Sequence, residues 1–206
     1  NQSSVALSKN DLKIVMEVLT YSVPTLFNNT ETEREYNLSI SLTVAQEVKP
    51  IDFVLVLVDV AKDEEDKEQP KAAGRVDWIG ETKMNRLQLV FTKGDLQQFK
   101  SFWEQMEKVK MMKKRGQPKA LINVEEELLS ASNLPGQANT FGHELGHALG
   151  LFHTTDESNL LHKIEIGTEI TPKQHEEIIK TIDRNNKEES ERNVNRMQEM
   201  VIPSIY

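Results

Sequence analysis

"HELGHALGLFHTTDESNLLHK", His143 to Lys163, decides how the chain is read, because three of its five histidines fall within the first eleven residues of this stretch. On a helix, His143 and His147 are four apart, so their side chains lie on one face about one turn from each other and can reach a single ion. Glu144 stands beside the first of them and projects toward the same cleft, where it can hold a water at the metal without being a ligand. Two imidazoles do not complete a catalytic metal site, which usually takes three protein ligands and leaves a fourth position open. His153 supplies the third, provided the helix stops: a continuing helix would carry residue 153 about 9 Å further along the axis. Gly150 can take the left-handed conformation that ends a helix and turns the chain back beneath it. A chance match of three histidines, a glutamate and a glycine at these five places has odds on the order of 10⁻⁵ for a chain of ordinary composition.

Around this stretch the composition is that of one folded unit. At 206 residues the chain can bury one sizeable core and is short for two independent domains, so a single domain over 1–206 is expected. Charged residues make up 28% and hydrophobic ones 37%, with no apolar run long enough for a membrane helix. The net charge of −8 and the short, acid-flanked basic runs argue against nucleic acid as a partner. With no cysteine, any metal must be held by His, Asp or Glu, and no disulfide framework is available. The opening at Asn1, without an apolar leader, reads as a trimmed or mature form. Asn28-Asn29-Thr30 and Asn37-Leu38-Ser39 fit the N-glycosylation pattern and carry little weight.

Strand signals dominate the first half. Tyr36 to Val44 alternates apolar and polar residues as a strand with one wet face does. "DFVLVLVDV", Asp52 to Val60, is apolar at nearly every position and reads as a central strand covered on both faces; "RLQLVFT", Arg86 to Thr92, reads as another. "DLKIVMEVL", Asp11 to Leu19, fits strand or helix. The acidic run inside Lys62 to Gly74 lacks the ordered ligand spacing of a calcium loop and reads as solvated. From an N-cap at Asp95, apolar residues recur at helical spacing up to Gly116, and their aromatic stripe is core packing. "ALINVEEELL", Ala120 to Leu129, reads as a strand. A helix capped by Ser132 or Asn133, with Pro135 in its first turn, runs through the histidines, and another starts at Thr171-Pro172.

"HELGHALGLFH" resembles the long zinc signature of the metzincin metalloendopeptidases. The resemblance implies an α+β fold: a twisted, mostly parallel mixed sheet with the active-site helix in an N-terminal lobe (1–150) and a small, mainly helical C-terminal lobe (151–206). Only about twenty residues carry it closely. Such proteins place a methionine-containing turn beneath the zinc, and in the matrix-metalloproteinase-like members it lies eight residues after the last histidine. Here that position is Leu161, close to Met in volume and apolarity. The family's zinc-linked tyrosine would fall at Lys163, so that role does not carry over, and His162 reads as an exposed turn residue. Met197 and Met200 lie in the charged tail. The loop after the turn lines a substrate pocket in the family, which makes Ile164, Glu165, Ile166, Gly167 and Thr168 pocket candidates by resemblance.

The implied activity is that of a zinc metalloendopeptidase. It takes one catalytic Zn2+ on His143, His147 and His153 and uses Glu144 as the base that activates a zinc-held water, with Gly150 and Leu161 as the structural turns of the site. A protein or peptide substrate, a monomeric state and a secreted, periplasmic or cell-surface location are the accompanying expectations. A second reading keeps the zinc and the fold but binds a protein partner without cutting it, prompted by Leu161 and the missing tyrosine.

Overall fold

A computed structural model describes residues 4–27, 40–42, 53–62, 67–79, 84–116, 118–130, 132–163, 167, 169–181, 183–184 and 187. Helix α1 (Lys9–Ser22) settles the ambiguous segment in favour of helix. Ser8 caps it: the Ser8 hydroxyl accepts from the Asp11 amide at 3.1 Å while the Asp11 carboxylate accepts from the Ser8 amide at 2.9 Å. This reciprocal box satisfies donors that a bare helix end leaves open. The helix buries Ile14, Val15, Val18 and Leu19, an i, i+1, i+4, i+5 stripe that a strand cannot gather on one face. A short 3-10 turn, Val23–Leu26, follows.

The strands are β1 (Phe53–Val58), β2 (Ala61–Lys62), β3 (Glu68–Gln69), β4 (Gly74–Ile79) and β5 (Met84–Val90). Three of them form a mixed sheet in the order β1-β5-β4, β1 parallel and β4 antiparallel to β5, while β2 and β3 pair as a small ribbon. The described sheet is therefore as antiparallel as it is parallel, and β5, not β1, is its central strand. Buried Leu87 and Leu89 in β5 have near-zero exposure, whereas Val54, Leu55 and Val56 of β1 are only half covered. An apolar run reports hydrophobic content and says nothing about which neighbour the chain will supply. Of the expected strand at Tyr36 to Val44, only 40–42 lie among the described residues, and they belong to no regular element.

Helix α2 (Lys93–Lys114) begins three residues earlier than the sequence suggests. Thr92 is the N-cap and Asp95 is the third residue of its capping box, with bonds of 3.2 and 2.8 Å. An acid at either place quiets the helix start, so composition alone did not separate the two registers. Helix α3 (Pro118–Leu129) occupies the segment expected as a strand. Glu125 explains the difference: on a helix it reaches back to Tyr21 Oη at 2.6 Å and to Lys113 Nζ, bonds to α1 and α2 that a lone strand here would not make. Its depressed carboxyl pKa opposes a burial that would raise it, with the Lys113 and Tyr21 bonds prevailing.

Helix α4 (Gly136–Ala148) carries the histidine motif. Its N-cap position is Pro135, which offers no side-chain cap; this is two or three residues later than the expected caps Asn133 and Ser132, and puts the proline at the cap and not in the first turn. Helix α4 lies across β4 and β5 and touches the 3-10 turn and α1; α2 bridges α1 and α3. Side chains from α1, the 3-10 turn, β1, β5, α2, α3 and α4 meet in one core, where Phe91, just after β5, and Phe99 of α2 stack edge to face at 5.6 Å. A helix over 172–181, preceded by Thr171, adds Ile178 to the same core. Among the described residues no helix is long and apolar enough to cross a membrane.

Candidate metal centre

The site begins with the way α4 ends. Leu149 is the C-cap, Gly150 has φ 91°, the Gly150 amide donates to the His147 carbonyl at 2.9 Å and the Leu151 amide donates to the Gly146 carbonyl at 3.0 Å. These two bonds make a Schellman motif, which closes a helix through a left-handed residue and reverses the chain. Gly150 is required twice over: its φ is costly for an L side chain, and a Cβ there would sit 2.6 Å from Thr181 Oγ1. The reversal brings His153 back to α4.

The Nε2 atoms of His143, His147 and His153 lie 3.1 Å (143–147), 3.2 Å (147–153) and 3.3 Å (143–153) apart. In neutral rings a hydrogen bond cannot account for the approach of His143 to His147. His143 Nδ1 lies 2.7 Å from the Leu160 carbonyl oxygen and His147 Nδ1 2.8 Å from the Leu151 carbonyl oxygen. A carbonyl only accepts, so both Nδ1 atoms carry the proton and both Nε2 atoms present lone pairs. Lone pairs converging at such distances repel unless a cation sits among them. Burial holds the His143 imidazolium disfavoured, with its pKa pulled down to about 4, and neighbouring His147 and His153 add to the effect. His153, though exposed, is also shifted down, first by desolvation and then by His147 and Lys163. Neutral imidazole is the state that binds metals, and among the described residues these three histidines are the group of three or more such side chains placed to hold an ion.

Glu144 is buried in the strand-facing side of α4. A Cβ on Gly74, at the start of β4, would lie 3.0 Å from Glu144 Cγ, 2.7 Å from Thr140 Cγ2 and 3.3 Å from the Gln88 carbonyl oxygen, so the absence of a side chain at 74 lets the strand close onto Glu144. Leu161 is fully buried and packs on α4: a Cβ on Gly146 would lie 3.0 Å from its Cδ2. Gly146 stands one residue before His147, so the leucine fills the space under the helix turn that bears His143 and His147. His162 is half buried rather than exposed; its amide donates to the Asn159 carbonyl at 3.0 Å, and it is not in the metal-capable group.

Of the pocket candidates, Ile164, Glu165, Ile166 and Thr168 lie outside the described residues. Gly167 is described, and its amide donates to the Asn159 carbonyl at 3.1 Å. A Cβ there would meet the Ser158 backbone at 2.2 Å, so its surroundings are those of a close backbone approach. Sequence reasoning passed over Gly74, the carbonyls of Leu151 and Leu160, Asn159 and Gln174. Of these only Gln174 left a signal, the Thr-Pro-x-Gln order of a capping box. Compared with protein-family models, with curated proteins and with solved structures, the chain matches none.

Proposed function

We propose that this chain is a zinc-dependent endopeptidase of metzincin type, with His143, His147 and His153 as the zinc ligands and Glu144 as the general base. The observation that carries the reading is the convergence of the three Nε2 atoms at 3.1 to 3.3 Å, with the His143 and His147 rings each held at Nδ1 by a backbone carbonyl. Two zinc-bound nitrogens at ~2.0–2.1 Å and tetrahedral angle stand about 3.3 Å apart. Three imidazoles without a thiolate suit zinc among other divalent ions and leave a fourth position for a substrate or water. Zinc, when bound, polarises a peptide carbonyl and makes a water acidic enough to lose its proton near neutral pH.

The chain's own residues do the remainder. The Leu160 and Leu151 carbonyls hold His143 and His147 in the tautomer that exposes Nε2, and so orient both rings before any ion arrives. Glu144, acting as base, takes the proton of the attacking water and returns it to the departing amine. Strand β4 is antiparallel to β5 and has no further partner among the described residues, so its outer edge can pair with an extended peptide next to Glu144. Leu161 supports the turn under the ligands without contributing an atom to the chemistry.

Zinc content and cleavage of an unstructured protein test this reading together. The zinc-loaded chain is expected to bind one ion and to cut, and Glu144→Ala is expected to keep the ion and lose at least ~10²-fold in turnover. Full activity in Glu144→Ala sinks the mechanism. A chain that holds zinc and cuts nothing across a broad peptide set is instead a metal-bearing binding protein.

A further inference from the structure

The turn that carries Leu160 is itself governed by one side chain. Asn159 is 2% exposed, deep for a carboxamide. The peptide unit joining Leu160 to Leu161 is gripped at both ends: its carbonyl accepts from His143 Nδ1 at 2.7 Å, and its N–H donates to Asn159 Oδ1 at 3.0 Å. A peptide unit is planar, so its C=O and N–H directions are not set independently. Whatever fixes the Leu161 N–H therefore fixes the axis along which the His143 ring is held.

The Asn159 carboxamide has its own clamp. Its Nδ2 donates to Gln174 Oε1 at 2.7 Å and its Oδ1 accepts from Gln174 Nε2 at 3.1 Å. The Thr171 amide donates to that same Gln174 Oε1 at 2.9 Å and the Thr171 hydroxyl does so at 3.1 Å, in the first turn of the helix at 172–181. An oxygen accepting from three donors cannot change places with the amide nitrogen, which settles the orientation of both carboxamides. The neighbouring backbone is tied as well, through Leu160 N–H to the Glu169 carbonyl at 2.8 Å and Thr154 N–H to the Leu161 carbonyl at 3.0 Å.

We propose that Asn159 is a positioning residue for the metal centre, acting through the Leu160–Leu161 peptide on His143, with Gln174 as the group that holds it in place. The inference rests on the zinc reading of the three histidines and extends it to a residue that touches neither ion nor substrate. A carboxamide is suited to the position because it accepts from the peptide N–H and donates to Gln174 at once. A leucine of similar size leaves the Leu161 N–H and the Gln174 Nε2 without the acceptor they share and frees the peptide to tilt. Groups that orient a metal-binding imidazole typically change metal affinity by about 10- to 100-fold when removed.

The test is zinc affinity of the full chain, measured by competition with a chromophoric chelator, alongside the melting temperature of the zinc-free chain. Asn159→Leu is expected to bind zinc about 10- to 100-fold more weakly, while Asn159→Asp, which keeps the acceptor for Leu161 N–H but loses the donor to Gln174, is expected to fall between Asn159→Leu and the parent. Ile178→Ala, a core truncation in the same helix, is the control: it is expected to lower the melting temperature and leave zinc affinity unchanged. Zinc binding by folded Asn159→Leu as tight as the parent's overturns the proposal, and so does an equal loss in Ile178→Ala. Should Asn159→Leu not fold, Gln174→Leu removes only the clamp; a several-fold weaker affinity supports the proposal and an unchanged one overturns it. A parent chain that takes up no zinc overturns this inference and the zinc reading together. A parent that binds zinc but cuts nothing removes the endopeptidase reading and leaves Asn159 where it stands.

Discussion

Gly74→Ala is the substitution in which the packing around Glu144 is most directly exposed. The added methyl would sit 2.7 Å from Thr140 Cγ2, 3.0 Å from Glu144 Cγ and 3.3 Å from the Gln88 carbonyl oxygen. Carbon atoms prefer about 3.5–4.0 Å, so the first contact is short by roughly an ångström and the second by more than half of one. The Gln88 oxygen is backbone of the central strand and cannot retreat. Thr140 can rotate only by giving up the 3.2 Å bond from its hydroxyl to the Gly136 carbonyl. Relief therefore falls on Glu144 and on the seating of α4 against β4. Overpacking of this kind costs about 1–3 kcal/mol, and for a chain of this size each kcal/mol lowers the melting temperature by about 2–4 °C. A base displaced by ~1 Å is expected to lose on the order of 10² in turnover. Zinc affinity is expected to hold, because His143 and His147 are anchored from the far side by Leu160 and Leu151. The assay is a thermal melt, a zinc titration and turnover on an unstructured protein, run on Gly74→Ala and on Gly74→Ala with Thr140→Ser. The serine removes the 2.7 Å contact, so the double variant should regain stability while remaining slow. Wild-type turnover and melting in Gly74→Ala would refute the argument that the bare strand at 74 seats Glu144.

Other outcomes can be checked separately. Gly150→Ala places a side chain at φ 91° against Thr181 Oγ1 and is expected to destabilise the chain by about 1–3 kcal/mol by urea midpoint, with Thr181→Ala recovering part of the loss. Leu161→Met keeps volume and apolarity beneath the ligands and is expected to leave zinc affinity intact and activity little changed; a large gain on introducing Met would show that leucine holds the natural protein below full activity. Asp11 is held at about 2, below its ordinary 3.8, by the Lys100 ammonium at 2.7 Å and by Ser8. Because the folded value is the lower one, this contribution is complete above about pH 4 and is lost as pH falls through 2. Asp11→Asn should therefore flatten the acid limb of the stability curve in that window; an unchanged acid limb would count against the pairing.

How much of this was legible in the sequence differs from element to element. The histidine motif could be read because every part of it is local: helical spacing puts His143 and His147 on one face, and Gly150 ends the helix within three residues of the second. Helix α2 and the helix at 172–181 could be read from caps and periodicity, to within three residues. Helix α3 was misread because Ala120 to Leu129 has apolar residues that fit either period, and the deciding bonds, from Glu125 to Tyr21 and Lys113, run to other helices. The place of β1 in the sheet was misjudged for a similar reason, since a strand's neighbours are chosen by the rest of the chain.

The sequence by itself determined which atoms can hold an ion, because ligand type and spacing along a helix are short-range facts. Only the tertiary structure decided what holds those atoms still. The Leu151 and Leu160 carbonyls, the Asn159–Gln174 clamp and the bare backbone of Gly74 against Glu144 join residues that lie up to 70 positions apart (144 − 74 = 70). Backbone carbonyls and absent side chains have no signature of their own in a sequence. They acquire a role only when folding brings a ring nitrogen or a carboxylate against them.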